Sequence, residues 1–281
     1  MKKLIITLVL PIFLFALIIT PSCKKNNGDE PIIVDDIDPT AGLTKQHEGY
    51  AIGAATKIAV YTKSATITTG YNKFYLSLTD SVTGKRVEDA HIMLMPMMDM
   101  GAMQHTSPTE NPASEMAVNK LFPCAVVFMM PTSASGTWTV EYTVHNHVSN
   151  KEGKIKMLVN VIEPTISKQK MFTALHNGEK YLVSLIDPST PKVGINDMEI
   201  AIFKRASMMS FPADSSLSVV LTPEMPSMGH GSPNNVNPAH VGKGHYKGKV
   251  NFTMTGMWKL NLDYKSGAAV ADTTQFFDVQ F

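Results

Sequence analysis

From residue 50 onward, apolar and polar side chains alternate with a period of two, the period of a β-strand with one face in solvent. In the segment 154–162, for example, Ile155, Met157 and Val159 alternate with Lys154 and Lys156. Further strands are predicted at 57–62, 73–78, 90–95, 125–130 and 137–144. No stretch has an amphipathic helical period of useful length, so we predict an all-β fold.

Several sequence blocks occur twice, which predicts two copies of one domain. The repeated blocks are 74–80 and 181–187, 89–94 and 197–202, the Met-x-x-Met-x-His-x-Ser-Pro segments that begin at Met100 and Met225, and the Gly-x-Trp segments that end at Trp138 and Trp258. Their spacing implies an insertion of about 17 residues in the second copy, near 204–221. With about seven short strands per copy, we predict tandem β-sandwiches at 50–163 and 169–281.

Each tryptophan begins a row of alternate apolar residues and is predicted to anchor the core of its sandwich. The two rows are Trp138, Val140, Tyr142 and Val144, and Trp258, Leu260, Leu262 and Tyr264. Cys124 is predicted to be a buried free thiol, with a copper thiolate as the less favoured alternative.

The first residues have the pattern of an export signal. Two lysines precede an apolar run at 4–19, which is short for a membrane span and is interrupted by Pro11. The run gives way to Thr-Pro-Ser-Cys and then to a polar tract. This arrangement resembles the signal of a bacterial lipoprotein of the Bacteroidota type, which implies removal of 1–22 and attachment of lipid, including palmitate, at Cys23. An uncleaved anchor helix and a plain secretory signal are the alternatives.

Residues 23–49 are rich in Lys, Asn, Asp, Pro and Gly, a composition typical of a flexible tether. We therefore expect a lipid-anchored protein of the cell envelope, at the outer membrane in preference to the inner membrane, on its periplasmic face or at the cell surface. Disulfides are permitted outside the cytoplasm. With Cys23 lipidated, however, Cys124 has no partner, so the core alone must hold the fold.

Methionine is the unusual component of the composition, with 19 residues in 281. Two predicted loops carry it beside histidine with the spacing Met-x-x-Met-x-His. Thioether sulfur is a soft ligand without a proton, and together with neutral imidazole it suits Cu(I) better than Mg²⁺, Ca²⁺ or Zn²⁺. We therefore predict that copper is bound, and two histidines after the second loop could complete a site. The predicted metal ligands are Met100, Met103, His105, Met225, Met228, His230, His240 and His245.

Packing is the competing interpretation, because methionine commonly fills gaps in cores. Under it, the tandem sandwiches form a non-metal envelope interaction or scaffolding protein. One strand bears on this choice: His91, Met93 and Met95 share a face, which we expect to be exposed as either a metal-collecting or a partner-binding surface.

The second copy resembles the YtkA-like (FixH-related) domain, most clearly at 180–265. The residues that carry the resemblance are the Met-Pro-Ser-Met-Gly-His loop from Met225, Gly244-His-Tyr246, the strand 250–254 and Gly256-Met-Trp258. In the first copy, Phe122-Pro-Cys124 stands where the family has Gly-x-Tyr. The resemblance implies an immunoglobulin-like sandwich in an exported or membrane-tethered protein, with links to copper handling or oxidase assembly.

Other functions find little support in the sequence. A formal net charge of +1 gives no electrostatic basis for binding nucleic acid. The sequence contains no Gly-x-Ser-x-Gly, His-Glu-x-x-His or glycine-rich phosphate motif, so we do not expect an enzyme. The expected partners are a membrane, through the lipid, and a protein that donates or accepts copper.

Overall fold

A computed structural model describes residues 38–281 of the chain. The predicted signal peptide, the lipid attachment at Cys23 and the first part of the tether lie outside the described residues. Within 38–281 the regular structure is β-strand apart from a single 3₁₀ turn at Ile52–Ala54, so the all-β prediction is confirmed. In the same residues, no helix has the length and apolar character needed to cross a membrane.

The first sandwich consists of two main sheets. Its strands are β1 (Thr44–Ala51), β2 (Thr56–Thr62), β3 (Ile67–Thr68), β4 (Gly70–Asp80), β5 (Ala90–Asp99), β6 (Gln104–His105), β7 (Thr109–Glu110), β8 (Phe122–Phe128), β9 (Thr137–Asn146), β10 (Lys151–Val159) and β11 (Val161–Ile162). One sheet has the order β1-β2-β4-β8-β7, the other has the order β10-β9-β5-β6, and β3 pairs with β11. β1 begins at Thr44, so the end of the predicted tether is part of this sheet.

The second sandwich has the same arrangement. Its strands are β12 (Gln169–Thr173), β13 (Lys180–Asp187), β14 (Gly194–Lys204), β15 (Ser218–Met225), β16 (His230–Gly231), β17 (Val236–Gly242), β18 (His245–Phe252), β19 (Met257–Ser266) and β20 (Ala269–Gln280). The sheets have the orders β12-β13-β14-β18-β17 and β16-β15-β19-β20. The prediction of two tandem β-sandwiches is confirmed.

Each sandwich has its own apolar core, formed by the inner faces of its two sheets. Trp138 and Trp258 are fully buried, as are the alternate residues that follow each of them on β9 and β19. Each indole N–H donates a hydrogen bond to a backbone carbonyl, that of Met130 at 2.8 Å and that of Met254 at 3.0 Å. The predicted tryptophan rows are therefore core residues.

The structure corrects the alignment of the two copies. β4 pairs with β2 and β8, and the strand with the corresponding neighbours in the second sandwich is β14. The predicted match of 74–80 on β4 with 181–187 on β13 is therefore wrong by one strand. The match of 89–94 on β5 with 197–202 on β14 is wrong in the same way, because β5 corresponds to β15. With this correction, the second copy needs no 17-residue insertion.

A shared polar motif supports the corrected alignment. Gly70 and Gly194 have φ of 97° and 99°, a region that favours glycine. Two residues later, the amides of Asn72 and Asn196 make the same three hydrogen bonds: one to the backbone N–H four residues earlier, and two to the carbonyls four and two residues earlier. The same glycine conformation and the same amide thus begin β4 and β14.

An apolar layer joins the two sandwiches, which lie in one compact unit at residues 38–281. Its buried members are Val127 on β8, Leu182 on β13, and Ala201 and Phe203 on β14. Tyr71, Met129, Ile186 and Phe211 pack against them. Because of this layer, β13 and β14 bury both of their faces over part of their length.

Candidate metal site

The first Met-His loop is a short hairpin between β5 and β6. Met98 pairs with His105, and the N–H of Met100 donates to the carbonyl of Met103 at 3.0 Å. Gly101 occupies the turn with φ of 79°, and its N–H donates to the Asp99 carboxylate at 2.9 Å. The turn therefore holds two of the predicted thioether ligands at the end of the first sandwich.

His105 is buried beneath this turn, with its ring edge-on to Trp138 at 5.4 Å between centroids. Its Nδ1 lies 2.9 Å from the backbone carbonyl of Thr106. A carbonyl can only accept, so Nδ1 carries the proton and Nε2 carries the lone pair. Metal-binding histidines commonly have this tautomer, because a backbone or carboxylate acceptor holds the other ring nitrogen.

The three predicted ligands of the first loop line one cavity of about 230 Å³. Both sandwiches contribute methionines to its wall. The lining residues are Met100, Met103, His105, Met129 and Met130 from the first sandwich, and Met171, Arg205, Met208 and Phe211 from the second. We call this space the methionine cavity. Its wall is made of six thioether groups, one imidazole, one phenyl ring and one guanidinium.

Hydrogen bonds between the two sandwiches fix this wall. The N–H of Thr106 donates to the carbonyl of Met208 at 3.0 Å, and the side-chain amide of Gln169 donates to the carbonyl of Met129 at 2.7 Å. The Arg205 guanidinium contacts the sulfur of Met208. Met129, Met130, Met171 and Met208 were not predicted as site residues. Met-Met pairs at 129–130 and 208–209 are visible in the sequence, but only the packing of the sandwiches brings them to the first loop.

The second Met-His loop differs from the first. Met225 is buried in the core of the second sandwich, whereas the side chain of Met228 is 61% exposed. Met225 is the residue opposite His230, as Met98 is opposite His105, so the buried Met98 is its structural counterpart. The structure therefore does not bring Met225 and Met228 to one surface, and a metal role for this loop stays a prediction.

His230 nevertheless repeats the setting of His105. Its ring is edge-on to Trp258 at 5.8 Å between centroids, and its Nδ1 lies 2.9 Å from the carbonyl of Gly231. Nδ1 is again the protonated nitrogen. His240, on β17, is exposed and packs beside the ring of Tyr246 at 5.2 Å.

His245 has a different role from the one predicted. Its Nδ1 lies 2.7 Å from Glu199, and its Nε2 lies 2.7 Å from Glu110 of the first sandwich. Both ring nitrogens are thus held by carboxylates, and neither is left as a metal ligand. The contact with Glu110, then the contact with Glu199, raises the pKa of His245 above its ordinary value, against the opposing effect of burial. The contacts of His245 therefore do not support its predicted role as a metal ligand.

Two further predictions about the first sandwich can be compared with the structure. Cys124 is a buried free cysteine, and burial raises the pKa of its thiol well above its ordinary value, which disfavours a thiolate. Met93 and Met95 are exposed, as predicted for their face of β5. Among residues 38–281, no group of three or more His, Cys, Asp or Glu side chains is arranged to hold a metal ion.

Comparisons with known proteins locate one family within the chain. Residues 176–263 match the family model described as YtkA-like, so the predicted resemblance of the second copy is confirmed. No curated protein matches the chain.

Solved structures that match the chain include bacterial surface proteins. A chain of FdeC, an Escherichia coli adhesin, is 12% identical with a TM-score of 0.26, covering 83% of this chain and 65% of its own. Invasin, a bacterial integrin-binding protein, is 11% identical with a TM-score of 0.26, covering 80% of this chain and 39% of its own. Domains 5–6 of the S-layer protein SbsC are 11% identical with a TM-score of 0.26, covering 85% and 98%. The chain thus spans less than two thirds of the FdeC and invasin chains, and at these identities and scores the likeness does not extend to function.

Proposed function

We propose that this protein is an exported, lipid-anchored copper-binding protein that buffers Cu(I) or delivers it to a partner. The observation that carries the proposal is the methionine cavity, in which six thioethers and one imidazole from distant parts of the chain line a single space. Met100 and Met130 also pack against the first core and Met129 against the apolar layer, but all six methionines present part of their surface to this one space.

The chemistry of the wall supports Cu(I) as the metal. Thioethers remain unprotonated at any pH, and soft sulfur donors select Cu(I) over the hard divalent ions. The Nε2 of His105 has a lone pair because Nδ1–H is held by Thr106. Met100, Met103 and His105 are therefore the proposed ligands from the first sandwich, with Met129, Met130, Met171 and Met208 available to complete the site.

The exposure of the cavity rim favours exchange of copper over permanent storage. The side chain of Met103 is 50% exposed, so a donor or acceptor protein can reach one ligand directly. Attachment through Cys23 would keep this rim within reach of other envelope proteins. The family resemblance of the second sandwich, with its links to copper handling, is in keeping with this role.

The test replaces the two loop thioethers with a side chain of similar size. We expect Met100→Leu/Met103→Leu to weaken Cu(I) binding at least about tenfold, which corresponds to about 1.4 kcal/mol. Leucine preserves the apolar volume, so the fold should be retained. The measurement is competition for Cu(I) with a chromophoric chelator under anaerobic conditions, on the full mature protein in detergent.

Met254→Leu/Met257→Leu is the matched control. Both residues are exposed methionines of the second sandwich that do not line the cavity, so this variant should bind Cu(I) like the wild type. Equal affinity in the loop variant and the control would remove the cavity as the site. If the wild-type protein binds no Cu(I), the envelope interaction module becomes the better interpretation.

A further inference from the structure

The outer face of β5 carries a row of soft side chains that the methionine cavity does not use. Along this strand His91, Met93, Met95 and Met97 point away from the core, while Ile92 and Leu94 point into it. The side chains of Met93 and Met95 are 46% and 51% exposed. We call these four outward residues the methionine stripe. Exposed methionines on consecutive outward positions are unusual for a strand that faces water.

The second sandwich provides an internal comparison. β15 corresponds to β5, since each pairs with its tryptophan strand in the same register: Met98 lies opposite Trp138, and Pro96 and Pro223 lie opposite Val140 and Leu260. The four positions of the stripe are occupied on β15 by Ser218, Val220, Thr222 and Glu224. The fold therefore does not require methionine at these positions.

We propose that the methionine stripe is a second, weaker Cu(I) site that collects the ion and passes it to the methionine cavity. This inference rests on the proposed function. Outward side chains two residues apart on a strand are separated by roughly 6.6–6.8 Å along the backbone. The long, unbranched methionine side chain can bring two neighbouring sulfurs to one ion across that spacing.

The carboxylates that border the stripe already have partners, so its thioethers are the groups that remain available to a soft metal ion. Glu141 on β9 lies directly opposite Met95, and its carboxylate is 3.4 Å from the exposed Lys154 ammonium. His91 lies opposite His145, and its Nδ1 is 3.1 Å from Glu115. Two thioethers in open solvent offer fewer donors than the cavity wall does. Binding at the stripe should therefore be weaker and faster to exchange.

The stripe also leads to the cavity. Its last member, Met97, precedes Met98, which pairs with His105 in the hairpin of the first Met-His loop. The next exposed methionine along this edge is Met103, which belongs to the wall of the cavity. A copper ion released from Met95 and Met97 would thus be at the strand end from which the cavity ligands project.

The test uses Met93→Leu/Met95→Leu/Met97→Leu, with Met254→Leu/Met257→Leu as the matched control. Methionine labelled with ¹³C in its methyl group is followed by NMR during anaerobic titration with Cu(I), and Ag(I) serves as a redox-stable substitute. In the wild type, the cavity methyl signals should shift with the first equivalent and the stripe signals with further metal. At limiting Cu(I), the stripe variant should load the cavity about tenfold more slowly with an unchanged cavity affinity.

The possible outcomes separate this inference from the proposed function. Unshifted Met93 and Met95 signals, or a stripe variant that loads as fast as the control, would overturn the stripe while leaving the cavity intact. If the stripe signals shift first and remain the tighter site, the proposed direction of transfer is wrong. If no methionine methyl signal of the wild type shifts when the metal is added, both proposals are refuted.

Discussion

The imidazole of His245 connects the two sandwiches, and removing the charge of one of its carboxylate partners should lower the stability of the protein by an amount that the structure allows us to predict. His245 lies between Glu110 of the first sandwich and Glu199 of the second, at 2.7 Å from each. The side chains of all three are largely buried, at 15–21% exposure. Tyr71 donates its hydroxyl hydrogen to Glu110 at 2.9 Å, and Lys247 lies 3.2 Å from Glu199. The perturbation is Glu110→Gln, which keeps the shape and an acceptor oxygen but removes the charge.

The expected magnitude follows from the loss of one charge-assisted hydrogen bond. Such bonds contribute roughly 1.5–3 kcal/mol, and a neutral amide retains part of that. We therefore expect Glu110→Gln to lower the free energy of unfolding by about 1–2 kcal/mol near pH 6. For a folded unit of this size, that corresponds to a fall in Tm of about 2–8 °C.

The raised pKa of His245 determines whether the destabilisation by Glu110→Gln grows or shrinks as the pH rises. The two carboxylates raise the pKa of His245 in the folded protein above the ordinary value of 6.5. A raised folded pKa contributes stability that is fully present below the unfolded pKa and is lost as pH rises through the folded pKa. The destabilisation by Glu110→Gln should accordingly be largest near pH 6 and smaller at pH 9.

Chemical denaturation at both pH values is the assay, with Glu115→Gln as the control. Glu115 contacts the exposed His91 at 3.1 Å, so the same substitution there removes a solvent-screened contact and should change stability by no more than about 0.5 kcal/mol. The reasoning is refuted if Glu110→Gln and Glu115→Gln destabilise equally at pH 6, or if Glu110→Gln costs more at pH 9.

Two further predictions concern buried side chains, those of Asn196 and Cys124. Asn196→Ala removes three side-chain hydrogen bonds at the start of β14 and should cost about 1–3 kcal/mol in urea unfolding. Asn261→Ala is the comparison and should cost less, because Asn261 is only half-buried and its amide makes two longer bonds of 3.2 Å. Cys124 should react with thiol reagents only after unfolding, because burial keeps it from solvent and raises its pKa. Mass-spectrometric labelling at Cys124 in native buffer, as fast as in denaturant, would contradict this.

The parts of the fold that depend on local periodicity could be predicted from the sequence. The alternation on β9 and β19 identifies the inner face directly, because side chains two residues apart on a strand share a face. The exposure of His91, Met93 and Met95 does not follow from the predicted match of 89–94 with 197–202, however. The supposed counterpart of this face, the row of Glu199, Ala201 and Phe203, belongs to the other sheet, and Ala201 and Phe203 are buried between the sandwiches.

The alignment error has a physical cause. The blocks 74–80 and 181–187 are both apolar strands that end in aspartate, and any strand buried on one or both faces has such a composition. Only pairing distinguishes β13 from β14, and pairing is a property of the assembled sheet. A local signal was present in Gly-x-Asn at Gly70 and Gly194, where a positive φ and a bonded amide recur together.

The candidate site was only partly predictable for a related reason. Met100, Met103 and His105 are close in sequence, so their convergence follows from one hairpin. Met171 and Met208 reach the cavity through the packing of the second sandwich on the first, to which no local pattern points. The same holds for His245, whose partner Glu110 is distant in sequence. Its spacing after the second loop suggested a ligand, whereas the packing of β18 against the first sandwich gives it two carboxylates.

The apolar layer links these two features. Tyr71 belongs to the layer and also contacts His245 edge-on, at 5.7 Å between ring centroids. Met129 and Phe211 belong to it and also line the methionine cavity. Copper held by thioethers from both sandwiches would favour the packed arrangement, because a ligand stabilises the state to which it binds. Linkage is reciprocal, so closer packing would in turn tighten the site. On the proposed function, the Glu110–His245–Glu199 bridge and the copper site therefore act on the same equilibrium, the contact between the sandwiches.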